Sequence, residues 1–222
     1  MSEVRGTIDA GPAEVSTARI APSGAIATLV LAHGAGVGMD HPFLEGFCWA
    51  MAEHEVATLR FNFPYVERGR RSPDPEAMLR ATWLAAFAAG RRVSQGGLVF
   101  AGGKSLGGRV ASMVVADGMP AAGLVFLGYP FHPPGRPERI RDEHLYRVDV
   151  PMLFLQGSAD PFADPVVFQP VLAKLGDRAV HVEIEGGDHS FKVRGARTGD
   201  RDVGAQLAEH AASFIHWVAG VA

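Results

Sequence analysis

The sequence predicts an α/β fold in which a mostly parallel sheet carries helices on both faces. Several short runs are apolar at every position: Thr28-Leu29-Val30-Leu31-Ala32, Gly123-Leu124-Val125-Phe126-Leu127-Gly128 and Pro151-Met152-Leu153-Phe154-Leu155-Gln156. A strand reads this way when both of its faces are buried, as in parallel sheets. Those runs alternate with stretches at helical spacing, the pattern of βαβ crossovers. At 222 residues and 47% hydrophobic, the chain can bury one proper core, and the reading is a single domain over residues 1 to 222.

Taken in order, residues 3 to 20 alternate loosely around Gly6, Gly11 and Pro12 and read as an antiparallel edge hairpin. The buried run at 28–32 is followed by a glycine loop, His33-Gly34-Ala35-Gly36-Val37-Gly38, and by a helical pattern over 42–54. Residues 57–63 read as the next strand, stopped by Pro64, and lead into a basic loop with Arg68, Arg70 and Arg71. A helix over 75–92 is expected to be N-capped near Ser72 or Asp74, with Met78, Trp83, Leu84 and Phe87 at helical spacing. Strands follow at 98–102, 123–128, 151–156 and 179–184. The last helix contains Leu207, Ala211, Phe214, Ile215 and Val218.

The chemistry centres on Gly103-Lys104-Ser105-Leu106-Gly107, which fits G-x-S-x-G between a strand and a helix. The glycines are expected because a turn this tight leaves no room for Cβ, and the serine sits at the apex in a strained conformation. A phosphate-binding P-loop would need its leading glycine at position 98, which is Leu98. An ordinary surface serine on a glycine-rich turn is the plainer alternative.

A serine hydroxyl needs a base, and the base needs a group to orient it. Asp160 follows the strand ending at Gln156, and His189 follows the last strand. The order Ser105, Asp160, His189 is nucleophile, acid, histidine, and in open α/β sheets these loops share one edge. Asp164 and Asp188 are rival acids; Asp188 adjoins the histidine and should point away from it. The amides of Leu106 and Ala35 are the expected oxyanion donors.

The chain resembles the α/β-hydrolases, and more narrowly the small lidless bacterial hydrolases of the dienelactone-hydrolase-like group. That group has eukaryotic relatives among chromatin-complex subunits. The resemblance rests on Leu31-Ala32-His33-Gly34-Ala35-Gly36, Leu59-Arg60-Phe61-Asn62-Phe63-Pro64-Tyr65, Ala101-Gly102-Gly103-Lys104-Ser105-Leu106-Gly107-Gly108-Arg109, Phe126-Leu127-Gly128-Tyr129-Pro130, Phe154-Leu155-Gln156-Gly157 and Gly187-Asp188-His189-Ser190-Phe191, across residues 25 to 220. It implies that family's fold and hydrolytic machinery. Dienelactone hydrolases proper have cysteine where this chain has Ser105, so the resemblance does not carry over dienelactone as substrate.

The expected activity is that of a serine hydrolase on a carboxylic ester or related small-molecule acyl substrate, with no metal or organic cofactor. The rival is a binding or scaffold protein on the same fold. About twenty residues separate the strand ending at Gly128 from the next, too few for a lid of several helices. Tyr129 and Phe131 are expected at the mouth of an open site. Arg68, Arg70 and Arg71 are either solvated loop charge or a hold on an anionic substrate, and Arg109 is expected to pair on its own helix.

Net charge is −3, which argues against nucleic acid or a membrane surface as partner. Cys48 is the only cysteine, suiting a reducing compartment, and it reads as packing. The first residues lack the apolar core of a signal peptide, and the mostly apolar stretch at 25–39 is broken by His33 and several glycines. Together these point to the cytoplasm.

Overall fold

A computed structural model describes residues 1–11 and 13–221. The edge hairpin is β1 (Glu3–Asp9) paired antiparallel with β2 (Glu14–Ile20); Pro12, named above in this stretch, lies outside the described residues. The chain continues through β3 (Ala27–Ala32), α1 (Pro42–Glu53), β4 (Val56–Phe61), α2 (Pro64–Glu67) and α3 (Glu76–Val93). Next come β5 (Leu98–Lys104), α4 (Leu106–Ala116), β6 (Leu124–Leu127), β7 (Met152–Gly157), α5 (Pro165–Leu175), β8 (Ala179–Ile184) and α6 (Asp200–Ala219).

The strands form one eight-stranded sheet in the order β1-β2-β4-β3-β5-β6-β7-β8, with β3 to β8 parallel and β2 antiparallel to β4. Every residue of β3, β4, β6 and β7 is buried, which is why β3, β6 and β7 read as largely apolar runs, whereas β4 also buries Arg60, paired with Glu3 at 2.6 Å. Their side chains still sort by a period of two. Val30 and Ala32 join the layer under α3, α4 and α5, whereas Leu29 and Leu31 join the layer under α1 and α6. From β3 the chain winds to β4 on one side and later to β5 on the other. The crevice between the carboxyl ends of β3 and β5 is therefore the topological switch point, where open α/β sheets place their ligands.

Three local expectations are corrected. Helix α3 begins at Glu76 with no side-chain cap, because the Asp74 carboxylate is taken by Arg70 and Arg68. Its inward stripe is Leu79, Trp83, Ala86 and Phe87. Residue 84 is turned about 100° from Trp83 around the helix, so Leu84 is 51% exposed, and Met78 is only half-buried. Helices α2 and α5 were not legible from the pattern. The first is a single turn opened by Pro64, and the second carries Pro170 in its interior, a residue that ordinarily argues against helix. Asp164 is the N-cap of α5, accepting from Val166 N at 2.8 Å. Between β6 and β7 lies one 3₁₀ turn, Glu143–Arg147, and among the described residues no helix is long and apolar enough to cross a membrane.

Candidate active site

The turn from β5 into α4 is as tight as its glycines imply. Ser105 sits at φ 49° and ψ −114°, an unusual conformation for a side-chain-bearing residue. A Cβ on Gly103 would lie 2.3 Å from the Ala32 carbonyl oxygen, and one on Gly107 would lie 2.4 Å from the same atom. Only glycine on either side of Ser105 lets the elbow press against the end of β3. Trp83 buttresses it from α3, its indole N–H donating to the Gly107 carbonyl at 3.0 Å.

The Ser105 Oγ lies 2.8 Å from His189 Nε2, and His189 Nδ1 lies 2.7 Å from Asp160 Oδ2. Three loops that follow β5, β7 and β8 thus meet in one hydrogen-bonded chain. Asp160 is buried, and its other oxygen accepts from Phe162 N at 2.8 Å. The buried Gln156 amide donates to Asp160 Oδ2, while its carbonyl accepts from Tyr129 N at 2.8 Å. This positioning role has no local signal, because Gln156 looks in the sequence like the end of a strand. Of the rival acids, Asp188 accepts from Ser190 N at 2.7 Å and Lys192 N at 2.9 Å, closing its own turn and facing away from the imidazole.

The loop carrying His189 is held from two sides. Phe191, at φ 62°, stacks on Phe43 with ring centroids 5.8 Å apart. Lys104 Nζ donates to the His189 carbonyl at 2.6 Å and lies 5.5 Å from the Phe191 ring centre. Burial pushes the Lys104 ammonium down to about 8, against weaker opposing pulls from Asp160 and Asp188.

On the opposite wall, the Phe63 amide donates to His33 Nε2 at 3.1 Å, which leaves the proton on Nδ1 to donate to Gly34 O at 2.8 Å. Burial pushes His33 down to about 4, so it is a neutral brace for the Ala35 loop. Among the described residues neither the Ala35 amide nor the Leu106 amide has a protein acceptor. Both residues line the same cavity as Ser105, which has a volume of about 750 Å³.

The remaining expected residues fall elsewhere. Tyr129 and Phe131 do not line the mouth: both are buried in the core with Phe126 and Phe154. Alternate residues Pro130, His132 and Pro134 face the cavity instead, so the phase of this segment sends its large apolar rings inward. Arg68 and Arg70 pair with Asp74, and the exposed Arg71 lies near Gly36; none of the three lines the cavity. Arg109 does line it and has no partner on its helix among the described residues. A separate groove of about 870 Å³ beside Arg80, Leu84 and Asp117 contains none of the expected site residues. Among the described residues no group of three or more His, Cys, Asp or Glu is placed to hold a metal ion.

The whole chain superposes on proteins of known structure. A dienelactone hydrolase from Anabaena variabilis is 19% identical with a TM-score of 0.75, covering 97% of each chain. A lidless α/β serine hydrolase from Xanthomonas campestris is 19% identical with a TM-score of 0.76, covering 96% of this chain and 94% of that one. The esterase domain of a Rhodothermus marinus protein is 13% identical with a TM-score of 0.74, covering 98% of this chain and 99% of that one. At these identities the likeness is one of fold. The model of the alpha/beta hydrolase domain family matches residues 25–219, from β3 through the end of α6. With that match over most of its length, the chain belongs to the α/β-hydrolase family.

Proposed function

We propose that this protein is a serine hydrolase of carboxylic esters or related acyl compounds, acting through an acyl-enzyme. The observation that carries the reading is the hydrogen-bonded chain from Ser105 through His189 to Asp160, set at the switch point of the sheet. In this reading Ser105 Oγ attacks the acyl carbon while His189 Nε2 takes its proton. Asp160 keeps the other imidazole nitrogen protonated and steadies the imidazolium that forms. The free amides of Leu106 and Ala35 receive the negative charge that develops on the carbonyl oxygen. His189 then protonates the leaving group, and water repeats the sequence on the acyl-enzyme. No step calls for a metal or organic cofactor.

The substrate is a small molecule taken up in a cavity of about 750 Å³, without nucleic acid or membrane as partner. Cys48 is buried in the core and its thiol is pushed up to about 11 by burial, which supports packing in a reducing compartment such as the cytoplasm. The test is covalent labelling by a fluorophosphonate probe together with turnover of 4-nitrophenyl acetate. Labelling and turnover are expected in the wild type and absent from Ser105→Ala. A well-folded wild type that resists the probe would instead favour a binding or scaffold role.

A further inference from the structure

Four of the charged side chains that line the catalytic cavity are acids or their partners, and each acid is already neutralised. Asp74 is held by Arg70, Glu76 Oε1 accepts from Arg80 Nε at 3.0 Å, and Asp200 Oδ1 pairs with Lys192 Nζ at 2.8 Å. The cations left over on the cavity wall are Lys104, which is spent on the His189 carbonyl, and the guanidiniums of Arg109 and Arg141. Among the described residues neither guanidinium has a carboxylate within ion-pair reach or a hydrogen-bond acceptor, and Arg109 Nε is wholly buried without a partner. A guanidinium taken partly out of water ordinarily finds a carboxylate, because it carries five donors and loses their hydration.

These two are also close enough to oppose each other. Arg141 is held below the usual arginine range, first by burial and then by the positive charge of Arg109. Both are anchored through the backbone. The Arg109 N–H donates to Ser105 O at 3.0 Å, one turn into α4. The Arg141 N–H donates to Phe131 O at 2.7 Å, and the Tyr129 hydroxyl donates to Arg141 O at 3.1 Å. Two positive groups in a concave wall beside the nucleophile, neither with an ion-pair partner and with Glu76 acting on Arg141 only at longer range, make a site that a planar anion would complete.

We propose that Arg109 and Arg141 form an anion-binding subsite, so that the preferred substrate is an acyl compound bearing a carboxylate or phosphate group. This rests on the hydrolase reading above and names its substrate class. It also relocates the anion site from the basic loop, where Arg68 and Arg70 are committed to Asp74.

Two ester pairs test it. Mono-4-nitrophenyl adipate against 4-nitrophenyl hexanoate puts the charge in the acyl part; 4-acetoxybenzoate against its methyl ester puts it in the leaving group. The ratio of kcat/KM, anionic over neutral, is measured in the wild type and in Arg109→Gln/Arg141→Gln. A charge-assisted contact contributes about 10- to 100-fold. The ratio for at least one pair should therefore fall by at least about 30-fold in the double variant, and less steeply at 0.5 M salt. Arg109→Lys and Arg141→Lys, which keep charge and bulk, should fall part of the way, so a folding defect in the double variant cannot decide the outcome. A ratio constant within threefold for both pairs overturns the subsite. If the wild type cleaves no ester, the hydrolase reading fails and calorimetry decides the subsite separately. Adipate or inorganic phosphate should then bind Ser105→Ala and not the same protein lacking both arginines; equal binding overturns the proposal.

Discussion

Gly107→Ala tests whether the spacing between the elbow and the Ala35 loop controls the rate. The added methyl would lie 2.4 Å from Ala32 O, 2.6 Å from Ala32 C and 2.7 Å from His33 O. Ordinary contact begins at 3.4 Å, so α4 and the end of β3 must separate by about 1 Å. All three neighbours are backbone atoms, and no rotamer change can relieve them. The parts forced apart carry Ser105 and the Leu106 amide on one side and the Ala35 amide on the other. Overpacking of this kind costs about 1–3 kcal/mol of stability. A misplacement of about 1 Å costs about 10²-fold in rate. Stability is read from urea midpoints, and kcat and KM from 4-nitrophenyl acetate hydrolysis at saturating and subsaturating substrate. Gly118→Ala is the control: its φ of +102° strains any side chain, but nothing lies within 4 Å, so stability should fall by about 1 kcal/mol with kcat intact. A Gly107→Ala protein with kcat within threefold of wild type would refute the reasoning.

Ser105→Ala and His189→Ala should each lower kcat by on the order of 10⁴. His132→Ala should do far less, because both of its ring nitrogens lie 2.9 Å from the carbonyls of Pro133 and Pro161; a larger loss at His132 than at His189 would reverse the choice of base. Lys104→Met removes the donor to the His189 carbonyl while keeping the bulk. It should reduce kcat about tenfold with little change in KM, as a loosened support does; a change confined to KM would contradict a positioning role. His33 titrates near 6.5 in the unfolded chain and about 4 in the folded one, so the unfolded chain alone takes up the proton between those values. Its contribution to stability is complete above 6.5 and lost as pH falls toward 4, about 2 kcal/mol of it by pH 5. Urea midpoints at pH 7.5 and pH 5 measure this, and equal midpoints would count against it.

What the sequence determined by itself was whatever local chemistry dictates. Strands buried on both faces run largely apolar, so β3, β6 and β7 announced a covered parallel sheet. A turn that holds Ser105 against the Ala32 carbonyl tolerates only glycine at 103 and 107, so the elbow was legible from five residues. Placing Asp160 and His189 after the later strands β7 and β8 then put all three side chains on one edge of that sheet. The tertiary structure decided everything that depends on partners remote in the chain. Tyr129 and Phe131 turn inward because the core beneath β6 and β7 has room for their rings, and no local periodicity shows the phase of that segment. Gln156 looks like the end of a strand until Asp160 and Tyr129 are seen on its two ends. The arginines make the same point through charge. Arg68 and Arg70 are spent on Asp74, whereas Arg109 and Arg141, 32 residues apart, meet on one wall without a carboxylate. An ion pair depends on a few ångströms of separation that sequence distance does not encode, so which cations remain free for a ligand is settled only once the chain is folded.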